Sequence, residues 1–320
     1  MNSSAKITLR NGLGDKFLDL IGFYVICKYL HLEPIILFDN NSNFAWGSSN
    51  YDMRLFHFED LVFTDKECKY YAHSHNPSSS LCPYKVYGFL KDYIPDLSFE
   101  NISHDFAHYA PKLIQPSDII LSNIQEGIEK AYGIHLRKTD KVVSHAYLTH
   151  ESTLSEFDIL INNLLDDITT IIQQEREPTF LLVSEDESWK QEFKEKLNTI
   201  ANNHQVEIKI IEIDYKNNDY ANYKSVLDMF CLSKCKEILQ GAKYSTFSML
   251  AALLGNVKLR NYSPLEITEF LTHQWSSVIE INNQKNFDIE LHAKIARLSN
   301  NLETNICPSD FQKTIVKIHK

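Results

Sequence analysis

Residues 132–142 read Tyr-Gly-Ile-His-Leu-Arg-Lys-Thr-Asp-Lys-Val, a short β-prone run that empties into alternating cations and one carboxylate. Open α/β sheets place their ligands beyond the carboxyl ends of their strands, so such a run suits an anionic ligand there. Arg137 is the natural clamp, because its planar fork can donate two parallel hydrogen bonds to a phosphate. The bland reading is a strand-to-loop junction carrying solvated charges. Asn11-Gly12-Leu13-Gly14-Asp15 is a second candidate. It lies between an expected strand and an expected helix, where backbone N–H groups can face an anion. It lacks the third glycine of a dinucleotide fingerprint and the Lys-Ser/Thr pair of a P-loop.

Ser245-Thr246-Phe247-Ser248 opens another expected helix. Its hydroxyls either cap that helix or share a phosphate with the freed amides. Asp228, on the helix before it, is either a solvated aspartate or an acceptor for a nucleobase. Glu185-Asp186-Glu187 follows a strand and can hold Mg²⁺ or Mn²⁺ beside a diphosphate, or can start the next helix, the preferred reading. His135 is a core or a base-contacting residue, while His145 can titrate near neutrality as a general base. Cys68, His73, His75 and Cys82 match no standard zinc spacing, and Cys231 and Cys235 read as core thiols.

The composition narrows the classes. A chain of 320 residues suits two domains, and its 43% apolar share suits globular packing. A net charge of −10 with no broad basic face argues against nucleic acid. No stretch approaches a membrane span, and the first residues lack a signal-peptide pattern, so a cytoplasmic protein is expected. Scattered cysteines argue against a disulfide framework. Oligomeric state is not legible.

The elements that must position these residues alternate regularly. A strand at 6–10, a helix and a strand at 34–38 make a β-α-β unit. Residues 40–110 read as loops and short helices. After about residue 125 come strands at 133–137, 179–184, 206–213, 238–240 and 257–259. Helices are expected at 154–174, opened by a capping box at 153–156, and at 189–201, 223–234 and 246–254. A further helix is expected near 288–298. The expectation is an α/β protein with an N-terminal domain at 1–125, a Rossmann-like domain at 126–285 and a helical segment at 286–320 packing back across both.

Together the segments resemble the GDP-fucose-dependent fucosyltransferase superfamily. Gly133 to Val142 is similar to the His-x-Arg motif region of the α-1,6-fucosyltransferases. Leu182-Val183-Ser184-Glu185-Asp186-Glu187-Ser188 resembles their second, acidic motif. Asp228 to Cys235 through Ser245 to Ser248 resembles their third, and is more similar still to the bacterial α-1,2 branch. Gly12-Leu13-Gly14 resembles that branch's N-terminal glycine loop. The match covers 6–30 loosely and 132–256 well. It implies a GT-B-like fold, two Rossmann-like domains facing a central cleft, and an inverting, metal-independent transfer of L-fucose from GDP-fucose to a glycan hydroxyl, with no cofactor.

By the same resemblance Arg137 would hold the β-phosphate and stabilise the leaving diphosphate. His135 and Asp228 would contact guanine. Ser245, Thr246, Phe247 and Ser248, with the Gly12, Leu13 and Gly14 amides, would complete the phosphate cradle, and Asp186 falls in the acidic motif. The family's proposed base, a glutamate four residues past the lysine matching Lys141, is here His145. Asp140 is the other candidate to take the acceptor proton. Two rivals remain: a metal-dependent transferase for another nucleotide sugar, and a non-catalytic nucleotide- or glycan-binding module.

Overall fold

The computed structural model describes residues 4–9, 12–38, 52–58, 61–63, 81, 83–91, 93–137, 150–216, 219–242, 245–261, 278–282 and 317–319. It divides into two compact units, 1–115 with 267–320, and 116–266. The divide therefore falls ten residues before the expected boundary at 125. The chain beyond 266 belongs to the first unit because Val278–Asn282 (β11) pairs antiparallel with the first strand, Ser4–Leu9 (β1).

In the first unit, β1 and Glu33–Phe38 (β2) are parallel and flank the helix Leu13–Tyr29 (α1), the β-α-β unit read from the sequence. Phe56–His57 (β3) is a two-residue strand, and Val62–Phe63 (β4) extends the sheet beside β2. The helices Pro83–Leu90 (α2) and Phe99–Leu113 (α3) follow. α1 is buried from Leu13 to Cys27 almost without interruption, because it packs on the strands and also against α2 and α3. α3 is longer than the short helices expected of this region. Its Ser98–Asn101 capping box and its apolar stripe Ile102, Phe106, Ala110 and Leu113 account for it. The sheet order is β12-β11-β1-β2-β4, where Lys317–His319 (β12) lies parallel to β11. This sheet is mixed, and its last strand falls where a helical segment was expected; the expected helix at 288–298 lies outside the described residues.

The short strand Gln115–Pro116 (β5) straddles the divide, and the helix Asp118–Leu121 (α4) opens the second unit. Five strands then alternate with helices: Ala131–Leu136 (β6), His150–Gln174 (α5), Thr179–Ser184 (β7), Glu187–His204 (α6), Lys209–Ile211 (β8), Tyr223–Ser233 (α7), Glu237–Gly241 (β9), Thr246–Gly255 (α8) and Lys258–Asn261 (β10). Helix α5 begins earlier than expected, so 153–156 lies within it. Its sheet runs β10-β9-β6-β7-β8 with every pairing parallel. All six residues of β6 are buried, as a central parallel strand covered on both faces requires.

Strand alternation assigns those faces. Tyr132, Ile134 and Leu136 share a core with Phe157, Leu160, Leu164 and Ile168 of α5 and with Trp189, Phe193 and Leu197 of α6. Residues 131, 133 and 135 face the other way. There a Cβ on Gly133 would meet Leu232 Cδ2 at 2.7 Å and Cys235 Sγ at 2.9 Å, so α7 rests directly on the strand. Helices α7 and α8 also touch, since a Cβ on Gly255 would lie 1.8 Å from the Ser233 carbonyl oxygen. The amino ends of the strands are tied by charge. Arg260 donates to Glu237 at 2.8 and 2.6 Å and to both Asp167 oxygens at 2.8 Å. Lys236 and the Tyr132 hydroxyl both donate to Glu175, at 2.6 and 2.5 Å. Among the described residues no helix is long and apolar enough to cross a membrane.

Gly255→Ala tests the α7–α8 contact. Backbone at that distance cannot yield as a side chain can, so the variant is expected to lose about 1–3 kcal/mol of stability. Urea unfolding should show a lower midpoint at unchanged slope; an unchanged midpoint would contradict the packing.

Candidate functional site

The chain enters the second unit's sheet at β6, moves outward to β7 and β8, then returns to the other side of β6 for β9 and β10. The strand order therefore reverses between β6 and β9. The crevice outside the carboxyl ends of two such strands is where open α/β sheets bind ligands. Arg137 is the first residue past β6, and its N–H reaches the Gly241 carbonyl at the end of β9. His135 and Arg137 are two apart, which directs both side chains to the α7 and α8 face.

The start of α8 closes the site. Ser245 is its N-cap, its Oγ accepting the Ser248 N–H at 3.3 Å, and it is buried. The imidazole Nδ1 of His135 lies 2.7 Å from Ser248 Oγ and 3.3 Å from Ser245 Oγ. Phe247 covers the ring, 5.0 Å between centroids. Burial, reinforced by the Arg137 charge, lowers the imidazole pKa to about 3, so His135 is neutral near pH 7. Thr246 stands at the first helical position, where backbone N–H groups have no partner within the helix.

Asp228 is the central residue of α7 and is buried. Its carboxylate accepts the Tyr215 hydroxyl at 2.6 Å and lies 3.7 Å from the Lys224 ammonium. Burial is the larger influence and raises its pKa to about 6, against the opposing pull of Lys224 and the Tyr215 hydrogen bond. Burial and the neighbouring Asp228 carboxylate push the Tyr215 phenol up in turn. Lys224 also donates to the Ser184 carbonyl at 2.8 Å and pairs with Glu187 at 3.1 Å. One ammonium thus joins the end of β7, the start of α6 and the body of α7. Tyr215 and Lys224 were missed by sequence reading; the only trace of the second is its spacing four residues before Asp228.

The acidic cluster divides. Asp186 caps α6, its Oδ1 accepting from Ser188 N and Trp189 N at 3.0 Å, which is the helix-start reading. Glu185 faces Arg137 at 3.5 Å. No group of metal-ligating side chains assembles among the described residues. Cys231 and Cys235 are buried thiols, as expected; burial is the main cause that pushes Cys231 up to about 12. Gly12, Leu13 and Gly14 open α1 in the first unit, with Gly12 as its N-cap. Asp140, Lys141, His145 and the Cys68, His73, His75, Cys82 set lie outside the described residues.

Comparison with solved structures gives three likenesses at low identity. The chain is similar to a mutant of FUT1 from Arabidopsis thaliana in complex with GDP, at 13% identity and a TM-score of 0.49 over 81% of this chain and 71% of that one. It is also similar to the NodZ α-1,6-fucosyltransferase soaked with GDP-fucose, at 12% identity and a TM-score of 0.44 over 78% and 91%. The fucosyltransferase NodZ from Bradyrhizobium gives 0.43 at 12% identity, over the same shares. No family model and no curated protein matches the sequence.

The Asp228 carboxyl gives a signed pH dependence. Its folded pKa, about 6, lies above the ordinary value of 3.8, so its contribution is complete below about pH 4 and lost as the pH rises through about 6. Wild-type stability should therefore fall relative to Asp228→Asn between pH 4 and 6, measured by denaturant titration at each pH; a constant difference would mean that Asp228 is not buried as described.

Proposed function

We propose that the protein is a glycosyltransferase that uses a GDP-sugar, with the diphosphate held at the switch point of the second unit. The observation that carries this reading is the meeting of His135, Arg137 and the Ser245 helix start at the carboxyl ends of β6 and β9. A guanidinium and the helix-start amides of Thr246 and Phe247 are complementary to phosphate oxygens. The buried Asp228 offers carboxylate oxygens to the N–H groups of a guanine edge. The sequence resemblance supports the same assignment and supplies the expected sugar, L-fucose, and the expected acceptor, a glycan hydroxyl.

In this mechanism the acceptor oxygen attacks the anomeric carbon, and the bond to the diphosphate breaks with inversion. Negative charge grows on the departing phosphate, and Arg137 stabilises it more in the transition state than in the ground state. Its contact with Glu185 holds the guanidinium at the strand end before the donor arrives. On the resemblance alone, Asp140 or His145 takes the acceptor proton, Lys141 lies beside them, and the Gly12, Leu13 and Gly14 amides serve as a phosphate-binding turn. Asp186, committed to its helix, acts on the site through the α6 start. The transfer needs no metal in this proposal, and activity is expected to persist in excess chelator.

Arg137→Ala should lower the transfer rate by roughly 10²–10³, the cost of one preorganised donor. Near-normal turnover by that variant removes Arg137 from the chemistry. Thermal unfolding in the presence of GDP, UDP, CMP or NADH tests the donor class. Stabilisation by GDP above the others is expected, and equal shifts for all four would sink the guanine assignment.

A further inference from the structure

We infer that Ser245 and Ser248 are positioning residues that hold His135 in the tautomer with its proton on Nε2, so that the ring is a neutral donor selecting a 6-oxopurine over a 6-aminopurine. The identity of the ligand rests on the nucleotide reading above; the tautomer rests only on the residues around the ring.

The argument is a count of hydrogens. A neutral imidazole has one N–H and one bare nitrogen, and each serine hydroxyl has one hydrogen to donate. Both hydroxyl oxygens face the same nitrogen, Nδ1, at 2.7 and 3.3 Å. Ser245 Oγ already accepts the Ser248 N–H. Both serines are buried, at 1% and 0% exposure, and among the described residues neither hydroxyl has another acceptor. If Nδ1 carried the proton, both oxygens would accept and both hydroxyl hydrogens would be buried unpaired. With Nδ1 bare, Ser248 donates to it at the shorter distance. The remaining hydrogen of the ring then lies on Nε2, for which no described residue supplies a partner. A charged imidazolium is disfavoured by the same burial and by Arg137.

This arrangement revises the role the resemblance gives these hydroxyls. Their oxygens are turned to the imidazole, so a phosphate at the α8 start would meet backbone amides instead. A fixed Nε2–H matches a carbonyl oxygen at purine position 6 and opposes an amino group there. A site built to hydrogen-bond one group discriminates strongly against an analogue that cannot accept.

The test uses the full chain with ¹⁵N-labelled histidine, the His135 signals being identified by their loss in His135→Gln. Wild type should show protonated Nε2 and bare Nδ1, unchanged from pH 8 to 6. Ser248→Ala should shift the ring toward a mixture of tautomers, and Ser248→Thr, which keeps the hydroxyl, should restore it. GDP and ADP affinities measured on the same proteins should show Ser248→Ala weakening GDP about tenfold with ADP little changed, and Ser248→Thr close to wild type. Protonated Nδ1 in wild type, or an unaltered tautomer in a Ser245→Ala/Ser248→Ala double variant, overturns the positioning role. If wild type binds GDP but the variants keep its preference over ADP, the selectivity claim fails and the donor reading stands. If wild type shows the stated tautomer yet binds neither nucleotide, the donor reading and the selectivity fall together.

Discussion

The second unit depends on one small polar junction buried in an apolar sheet: an imidazole nitrogen on β6 shared by two hydroxyls at the head of α8. Placing a titratable ring in such a position is unfavourable unless its polar atoms are matched, and the helix start arriving at the end of β9 brings hydroxyls there. The parallel pairing of β6 with β9 fixes that arrival, with His135 opposite Gln240 and Leu136 opposite Gly241. Glycine at 241 is required by the same closeness, since a Cβ would meet Leu136 and Leu164 side chains at 2.8 and 2.9 Å. Packing and the matching of polar atoms are therefore one constraint at this point of the chain.

A second polar group, Asp228, is held by different means. Its partners come from an irregular stretch (Tyr215) and from its own helix (Lys224), and Lys224 carries the connection on to β7 and α6. The carboxylate is thus tied to the helix face opposite the Phe157–Trp189 core, and its burial holds its pKa above the usual carboxylate range. A neutral His135 gives the edge directional hydrogen-bond chemistry, while Arg137 supplies positive charge.

Much of the second unit could be read from periodicity. Strands at 133–137, 179–184 and 238–240 and the four helices after residue 150 fall within a few residues of their observed bounds, because each is a strongly patterned segment covered by its neighbours. The 206–213 strand shortens to Lys209–Ile211, and the 40–110 region contains a long helix that was not expected. The reason is the same in both: an isolated segment does not reveal which partner will bury it. His135, Arg137 and Ser245 are singled out through their motifs, and the structure brings them together at the carboxyl ends of β6 and β9. What the hydroxyls face, and the service of Tyr215 and Lys224 to Asp228, arise from contacts between residues far apart in sequence or across helix turns, which spacing does not encode. The separate membership of β11 in the first unit is of that kind too.

The ion-paired amino ends of the strands bear on how this chain can change. Arg260 with Glu237 and Asp167, and Lys236 with Glu175 and Tyr132, anchor the sheet at the margin remote from His135. Substitutions around His135 consequently meet a scaffold braced at the opposite margin, so the architecture does not hang on the residues at the carboxyl ends.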